Sequence, residues 1–250
     1  MEMRLEGKVV IVTGAGRNLG RVYAKGLARE GAKVAAADII DASGTVEEIE
    51  AAGGEAMAVS VDVTDEEATW GMAKSVHDRF GRIDGLVNNA ALYQDLSLGP
   101  FFEITGEEWD RAMAVNLKGV FFCCKAVFPY MKDQEFGRIL NIASNTVYKG
   151  TVGLIHYVTS KAGILGFTRS LARECGGYGI NVNTVAPDYI PHERDNRERP
   201  ELDEMNQKMR IIQRREVPED MVGTIVFLLS SDADFITGQT LVVNGGAVMP

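Results

Sequence analysis

Little in this 250-residue chain speaks for an exported, membrane-spanning or nucleic-acid-binding protein. Cysteine is scarce: Cys123, Cys124 and Cys175 form neither a CxxC pair nor the even spacing of a disulfide framework, so a reducing, cytoplasmic setting is expected. No run reaches the roughly 18 consecutive apolar residues of a membrane helix. The start, MEMRLEGKVVIVTG, passes directly into a strand without the pattern of a signal peptide. Positive charge is also short, 26 Lys and Arg against 35 Asp and Glu, and the net charge of −9 disfavours binding to phosphate backbones. Neither a nucleic-acid nor a membrane partner is expected. There is no internal repeat, no low-complexity segment and no residue cluster that predicts a metal site.

What is present is apolar residues, 46%, and 27 glycines without a collagen-like period. Short apolar runs alternate with helical stretches, which predicts a parallel sheet with helices on both faces. Strands are expected at 9–12, 33–37, 56–61, 85–87, 138–142, 180–185 and 240–243. Helices are expected from the first glycine turn to about residue 30, after the second strand, and over 65–80, 107–131, 157–175 and 218–230. Thr64 and Thr105 are candidate N-caps. The resulting fold class is α/β, a doubly wound seven-stranded parallel sheet flanked by helices, as a single domain over residues 1–250.

Residues 189–215 break the alternation, with two prolines, six acidic and seven basic residues. They read as an inserted loop with a short helix, either a solvated charged surface or, from their place after the sixth strand, a substrate lid. Two apolar stretches, 112–115 and 120–124, are either core helix or surface buried against another subunit.

The first strand runs into Thr13-Gly14-Ala15-Gly16-Arg17-Asn18-Leu19-Gly20 and then a helix. Such a turn lets backbone N–H groups approach a pyrophosphate at the positive helix N-terminus. Eighteen residues beyond Gly20, Asp38 closes the second strand, where a carboxylate accepts from ribose hydroxyls and repels a 2′-phosphate. This favours NAD over NADP, although Arg17 in the turn could attract the extra phosphate. Further on, Tyr157 and Lys161 stand four residues apart on one helix face, so the ammonium is expected to lower the tyrosine pKa from about 10. Alcohol oxidation should then rise with pH on a pKa below that value.

With Asp62 in VDVT, Asn88-Asn89-Ala90-Ala91, Asn116 in NLKG, Ser144 in NIAS, Pro187 and a closing VNGG, the chain resembles a classical short-chain dehydrogenase/reductase along essentially its whole length. The resemblance implies a homotetramer-forming Rossmann fold that moves hydride between a nicotinamide and a carbonyl or alcohol. It makes Tyr157 the acid/base, Ser144 the hydroxyl on the substrate oxygen, and Lys161 the group that lowers the tyrosine pKa and holds the nicotinamide ribose. Asn116 would break a long helix and anchor a water that relays protons to Lys161. Cofactor contacts are implied for Gly14, Arg17, Asn18, Leu19, Gly20, Asp38, Ile39, Asp62, Val63, Asn89, Ala90, Ala91, Tyr157, Lys161, Pro187 and Ile190.

Substrate contacts are expected from Ser144, Asn145, Tyr157, Asp188 and Tyr189, with Tyr93, Gln94, Val147 and Tyr148 nearby. This mixture of aromatic and polar groups suits an aryl or cyclic secondary alcohol. His156 points away from Tyr157 and is expected to serve packing or an interface.

Five positions depart from the family pattern. Asn18 and Ala91 stand for glycines, Asp188 for the glycine after Pro187, and Asn244 for an aspartate; Pro191 occupies the place of a threonine that often contacts the nicotinamide amide. The activity expected is an NAD-dependent secondary-alcohol dehydrogenase or ketone reductase. Two alternatives remain, an NADPH-dependent 3-oxoacyl thioester reductase and a catalytically silent nucleotide-binding protein; Asp38 and the absence of a net positive charge for docking a carrier domain speak against the first.

Overall fold

The computed structural model describes residues 3–191 and 200–249. Seven strands, β1 (Val9–Thr13), β2 (Lys33–Asp38), β3 (Ala56–Ser60), β4 (Gly85–Asn88), β5 (Gly137–Ile142), β6 (Ile180–Pro187) and β7 (Thr240–Val243), form one sheet in the order β3-β2-β1-β4-β5-β6-β7. Every pairing is parallel. β1, β4 and β5 are buried at every position, which is why they read as unbroken apolar runs rather than as alternations. The order reverses between β1 and β4, and open α/β sheets bind ligands at the carboxyl ends beside such a switch.

Helices cover both faces. On one side α1 (Asn18–Arg29), α2 (Ser43–Ala51) and α9 (Glu219–Leu229) close over Val10, Val12, Val34 and Val185. On the other, α3 (Glu66–Phe80), α5 (Gly119–Asp133) and α7 (Ile155–Cys175) close over Ile11, Leu86, Ile139 and Val182. Burial of these two apolar faces, at roughly 25 cal/mol per Å² removed from water, dominates the cohesion of the three layers.

Two expectations need correction. The cap of α3 is Asp65, whose carboxylate accepts from the Glu67 and Ala68 amides, whereas Thr64 turns its hydroxyl and amide to Asp62. Asp65 has the shorter reach to the first-turn amides and adds charge at the helix's positive end. Thr105 does cap its helix, α4 (Gly106–Met113). The stretch expected as one helix over 107–131 is three pieces, α4, a π-helical turn at Ala114–Lys118, and α5.

Taken together, Gly106–Asp133 is long and apolar enough to cross a membrane, but Val120, Phe122, Cys123 and Cys124 lie in the core. These residues follow the core alternative; Phe121 faces outward and meets Phe167 edge-on. In the charged segment, residues 200–209 form helix α8 (Pro200–Met209), preceded by 192–199, which lie outside the described residues.

Candidate active site

The glycine turn is shaped by contacts that exclude side chains. Gly14 has φ +68°, and a Cβ there would lie 2.9 Å from Ala90 Cα; at Gly20 a Cβ would lie 2.0 Å from the Gly14 carbonyl oxygen. Asn18 takes φ +50° at the middle position, which asparagine tolerates better than most residues. Ala91, by contrast, is not among the positive-φ residues, so its methyl carries no backbone strain.

Arg17 precedes α1 without a capping side-chain hydrogen bond, and the first turn carries no acidic residue. That leaves first-turn amides for an anion, and together with the glycine cradle it fits a dinucleotide pyrophosphate.

Thr13 and Asn89 lock the turn to the sheet. The Thr13 hydroxyl accepts from the Asn89 and Ala90 amides at 3.1 Å each, and the Asn89 side chain donates to the carbonyls of Thr13 and Gly14 at 3.0 and 3.2 Å. Asn89 therefore shapes the cofactor turn. Asp38 accepts from the Gly16 amide at 2.8 Å and the Ile40 amide at 3.1 Å, which fixes its carboxylate at the mouth of the turn beside exposed Ile39. Asp62 and Val63 follow β3; Asp62 accepts from Thr64, and buried Val63 packs where Gly119 leaves room.

Ser144, Tyr157 and Lys161 meet beyond the ends of β5 and β6. Ser144 is buried, its hydroxyl close enough to Tyr157 to act on the phenol and accepting from the Thr146 amide and hydroxyl at 3.2 and 3.0 Å. Lys161 lies one turn further along α7, its Nζ 5.8 Å from the Tyr157 ring centroid and donating to the Ile142 carbonyl at 2.7 Å. Tyr93 tilts against the Tyr157 ring at 5.0 Å between centroids. Asn116 sits in the π-helical turn, fully buried. Its side chain accepts from the Leu92 amide at 2.7 Å and donates to the Leu92 carbonyl at 3.0 Å and to Ser160 Oγ at 3.1 Å. Ser160 in turn donates to the Tyr157 carbonyl at 2.7 Å.

The electrostatics depart from the expectation at Tyr157. Burial, reinforced by Tyr93, pushes the phenol above its ordinary range, and the opposing pull comes from the Ser144 hydroxyl. Lys161 is itself drawn down to about 7 by burial. A partly neutral amine gives little field to lower a neighbouring phenol, so in this structure the phenol keeps its proton.

Asp188 also departs from its expected role. Instead of offering a free carboxylate to substrate, it accepts from Lys149 Nζ at 2.5 Å, Asn145 Nδ2 at 3.0 Å and Arg210 Nε at 3.1 Å. Burial raises its carboxyl, but the Lys149 and Asn145 hydrogen bonds outweigh it and hold the carboxyl below its usual range. Asn145 also accepts from Asn244 at 3.4 Å and donates its amide to the Pro187 carbonyl at 2.7 Å. Asn244 thus packs against the site rather than away from it. Tyr189 contributes its carbonyl to Arg210, and Ile190 is buried among α1 and α9 residues.

The sequence reading missed Lys149, Arg210 and Glu216. No local signal marks them, and Arg210 lies in the segment, 189–215, whose composition reads as solvated. His156 is a packing residue: buried, with Nε2 3.3 Å from Glu108. Among the described residues no group of three or more His, Cys, Asp or Glu is placed to hold a metal.

A sheet of this order, with a glycine cradle at its switch point and a Ser-Tyr-Lys cluster at the same end, defines a dinucleotide-dependent oxidoreductase. Residues 14–248 match the family model described as enoyl-(acyl carrier protein) reductase. The chain belongs to the short-chain dehydrogenase/reductase family, whose members work with a nicotinamide cofactor. It is 40% identical over 245 residues to the 3-oxoacyl-[acyl-carrier-protein] reductase FabG of Staphylococcus aureus, covering 97% of this chain and 98% of the relative. The reductase of the same name from Vibrio cholerae is 37% identical over 254 residues, covering 99% and 100%. Among solved structures, a protein from Sinorhizobium meliloti described as a short-chain alcohol dehydrogenase superposes with TM-score 0.92 at 34% identity, covering 99% of this chain and 98% of that one. One from Agrobacterium tumefaciens described as a gluconate dehydrogenase gives TM-score 0.92 at 32% identity, with both chains covered in full.

Proposed function

We propose that this protein interconverts a ketone and its secondary alcohol, and that the natural ketone is the 3-oxo group of an acyl thioester. The meeting of Ser144, Tyr157 and Lys161 supports the reaction, and the relatives named 3-oxoacyl-[acyl-carrier-protein] reductase support the substrate. When bound, the nicotinamide ring supplies or takes up hydride. Ser144 holds the substrate oxygen; Tyr157 gives that oxygen a proton in reduction and takes it back in oxidation. The raised phenol suits the donor role. Lys161 holds the nicotinamide ribose, and Asn116 anchors a water that hands protons to Lys161.

Gly14, Arg17, Asn18, Leu19 and Gly20 receive the pyrophosphate, Asp38 and Ile39 the adenosine ribose, and Asp62 and Val63 the adenine. Asn89, Ala90, Ala91, Pro187 and Ile190 line the nicotinamide side, while Asn145 and Tyr189 border the substrate. The segment 189–215 acts as the lid of one domain spanning 1–250. A cytoplasmic homotetramer is the proposed assembly, supported by the exposed Phe121 ring.

Asp38 favours a second reading, an NAD-dependent dehydrogenase of a compact aryl or cyclic alcohol. Its carboxylate, held by two amides, is poised for ribose hydroxyls and would repel a 2′-phosphate. One experiment separates the two: initial rates with NADH and NADPH against a 3-oxoacyl thioester, and with NAD⁺ and NADP⁺ against a panel of aryl and alicyclic alcohols. Thioester reduction exceeding all other activities supports the first reading. Turnover confined to NAD⁺ and the compact alcohols replaces it with the second. Asp38→Asn should move the NADPH-to-NADH ratio upward by about tenfold or more if the carboxylate sets the preference.

A further inference from the structure

Four charged side chains from three separate stretches of chain are buried together behind the substrate side of the cleft. Lys149 ends the short helix α6 (Thr146–Lys149), Asp188 follows β6, and Arg210 and Glu216 lie after α8. Lys149 Nζ lies 2.5 Å from Asp188 Oδ1, Arg210 Nε 3.1 Å from Asp188 Oδ2, and Arg210 also approaches Glu216 at 3.5 Å. Arg210 also donates to the carbonyls of Tyr189 and Arg214.

Isolated buried cations are costly, and the Asp188 carboxylate lies against both of them. Exposure separates the members: the side chains of Asp188, Arg210 and Glu216 are 4%, 2% and 6% exposed, but that of Lys149 is 14%. Lys149 is therefore the cation nearest solvent. It is tied to the site directly, because Asp188 Oδ1 also accepts from Asn145, the neighbour of Ser144.

We propose that Asp188 is a specificity-determining residue, which by engaging Lys149 keeps this end of the substrate cleft electrically neutral and selects an uncharged ester, thioester or hydrocarbon end over a free carboxylate. Without Asp188, Lys149 would present an ammonium to a substrate carboxylate and form a charge-assisted hydrogen bond. The inference rests on the ketone–alcohol reading and adds the chemistry of the substrate's far end. It also accounts for an aspartate where the family pattern has glycine: the charge is matched by Lys149 and Arg210 of the same chain.

The test uses a matched pair, ethyl 3-oxobutanoate and 3-oxobutanoate, reduced with NADH at about pH 8, where the acid is ionised. The wild type should prefer the ester. Asp188→Asn, which keeps the side chain's size, should narrow the ester-to-acid ratio of kcat/KM by about tenfold to a hundredfold through a lower KM for the acid. Adding Lys149→Met to that variant should restore the ester preference. An unchanged ratio in an Asp188→Asn protein that melts and binds NADH normally overturns the proposal.

If Asp188→Asn does not fold, Lys149→Met alone decides, since it leaves Asp188 with one cation fewer and should widen the ratio; narrowing overturns the proposal. Calorimetric binding of 3-hydroxybutanoate and its ethyl ester to the NADH complex reads the same preference without turnover. An ester preference in binding that Asp188→Asn removes, with no turnover of either ketone, would sink the catalytic reading and leave this one standing. Failure of the wild type to bind either probe overturns this one.

Discussion

The two halves of the site are built differently. The cofactor half, at the ends of β1 and β2, consists of glycines, backbone amides and short polar side chains. Thr13, Gly14, Asp38 and Asn89 hold it through hydrogen bonds to main chain. The substrate half, beyond β5 and β6, is held by long charged side chains drawn together from positions 149, 188, 210 and 216. Main-chain geometry tolerates almost no variation, whereas an ion network keeps its shape with different members. One half can be common to many chemistries while the other adapts.

The largest effect that would sharpen this contrast sits where the halves meet. Tyr157→Phe should lower turnover by about 10²–10⁴-fold while NADH binding, read by fluorescence enhancement, stays near wild type. Equal loss of both would mean that the phenol belongs to the cofactor half.

Next, Gly20→Ala tests the rigidity of the cradle. Its Cβ would lie 2.0 Å from the Gly14 carbonyl oxygen, so stability should drop by about 1–3 kcal/mol and NADH affinity with it, as read by chemical denaturation and titration. A variant that binds NADH normally would refute the claim that backbone contact shapes the turn.

The smallest effect concerns the ion network. Burial pushes the Glu216 carboxyl from its ordinary 4.5 up to about 7. Its folded value lies above its free value, so its neutral form favours the fold. That contribution is complete below the free value and lost as pH rises through about 7. Glu216→Gln should therefore raise Tm at about pH 8 more than at about pH 5. A Tm difference independent of pH would place the titration elsewhere.

The contrast also explains what could be read from the sequence. Short buried parallel strands are apolar runs by necessity, so all seven were legible, with ends shifted by at most two residues. The glycine turn and the Tyr-Lys spacing are likewise local, and the structure brings Ser144 to Tyr157 as the family resemblance implies.

Three features were not legible. The proton affinity of Tyr157 depends on burial and on Tyr93, 64 positions away in sequence. Thr64 and Asp65 are both good caps, and only the turn geometry selects between them. Arg210 and Glu216 look like any charged residues in a polar segment, because their burial is a property of the partners they find.

The π-helical turn at Ala114–Lys118 carries a further consequence. Its wider ring inserts one residue relative to an α-helix and so advances the winding by about 100°. The inward stripes of α4 and α5 are therefore out of phase, and no single helical wheel describes residues 106–133. Deleting one residue here would give a more regular helix, but it would rotate one of the two stripes out of the core and turn Asn116 away from Leu92. The irregular turn acts as a phase shifter, and the length of this segment is as constrained as its composition.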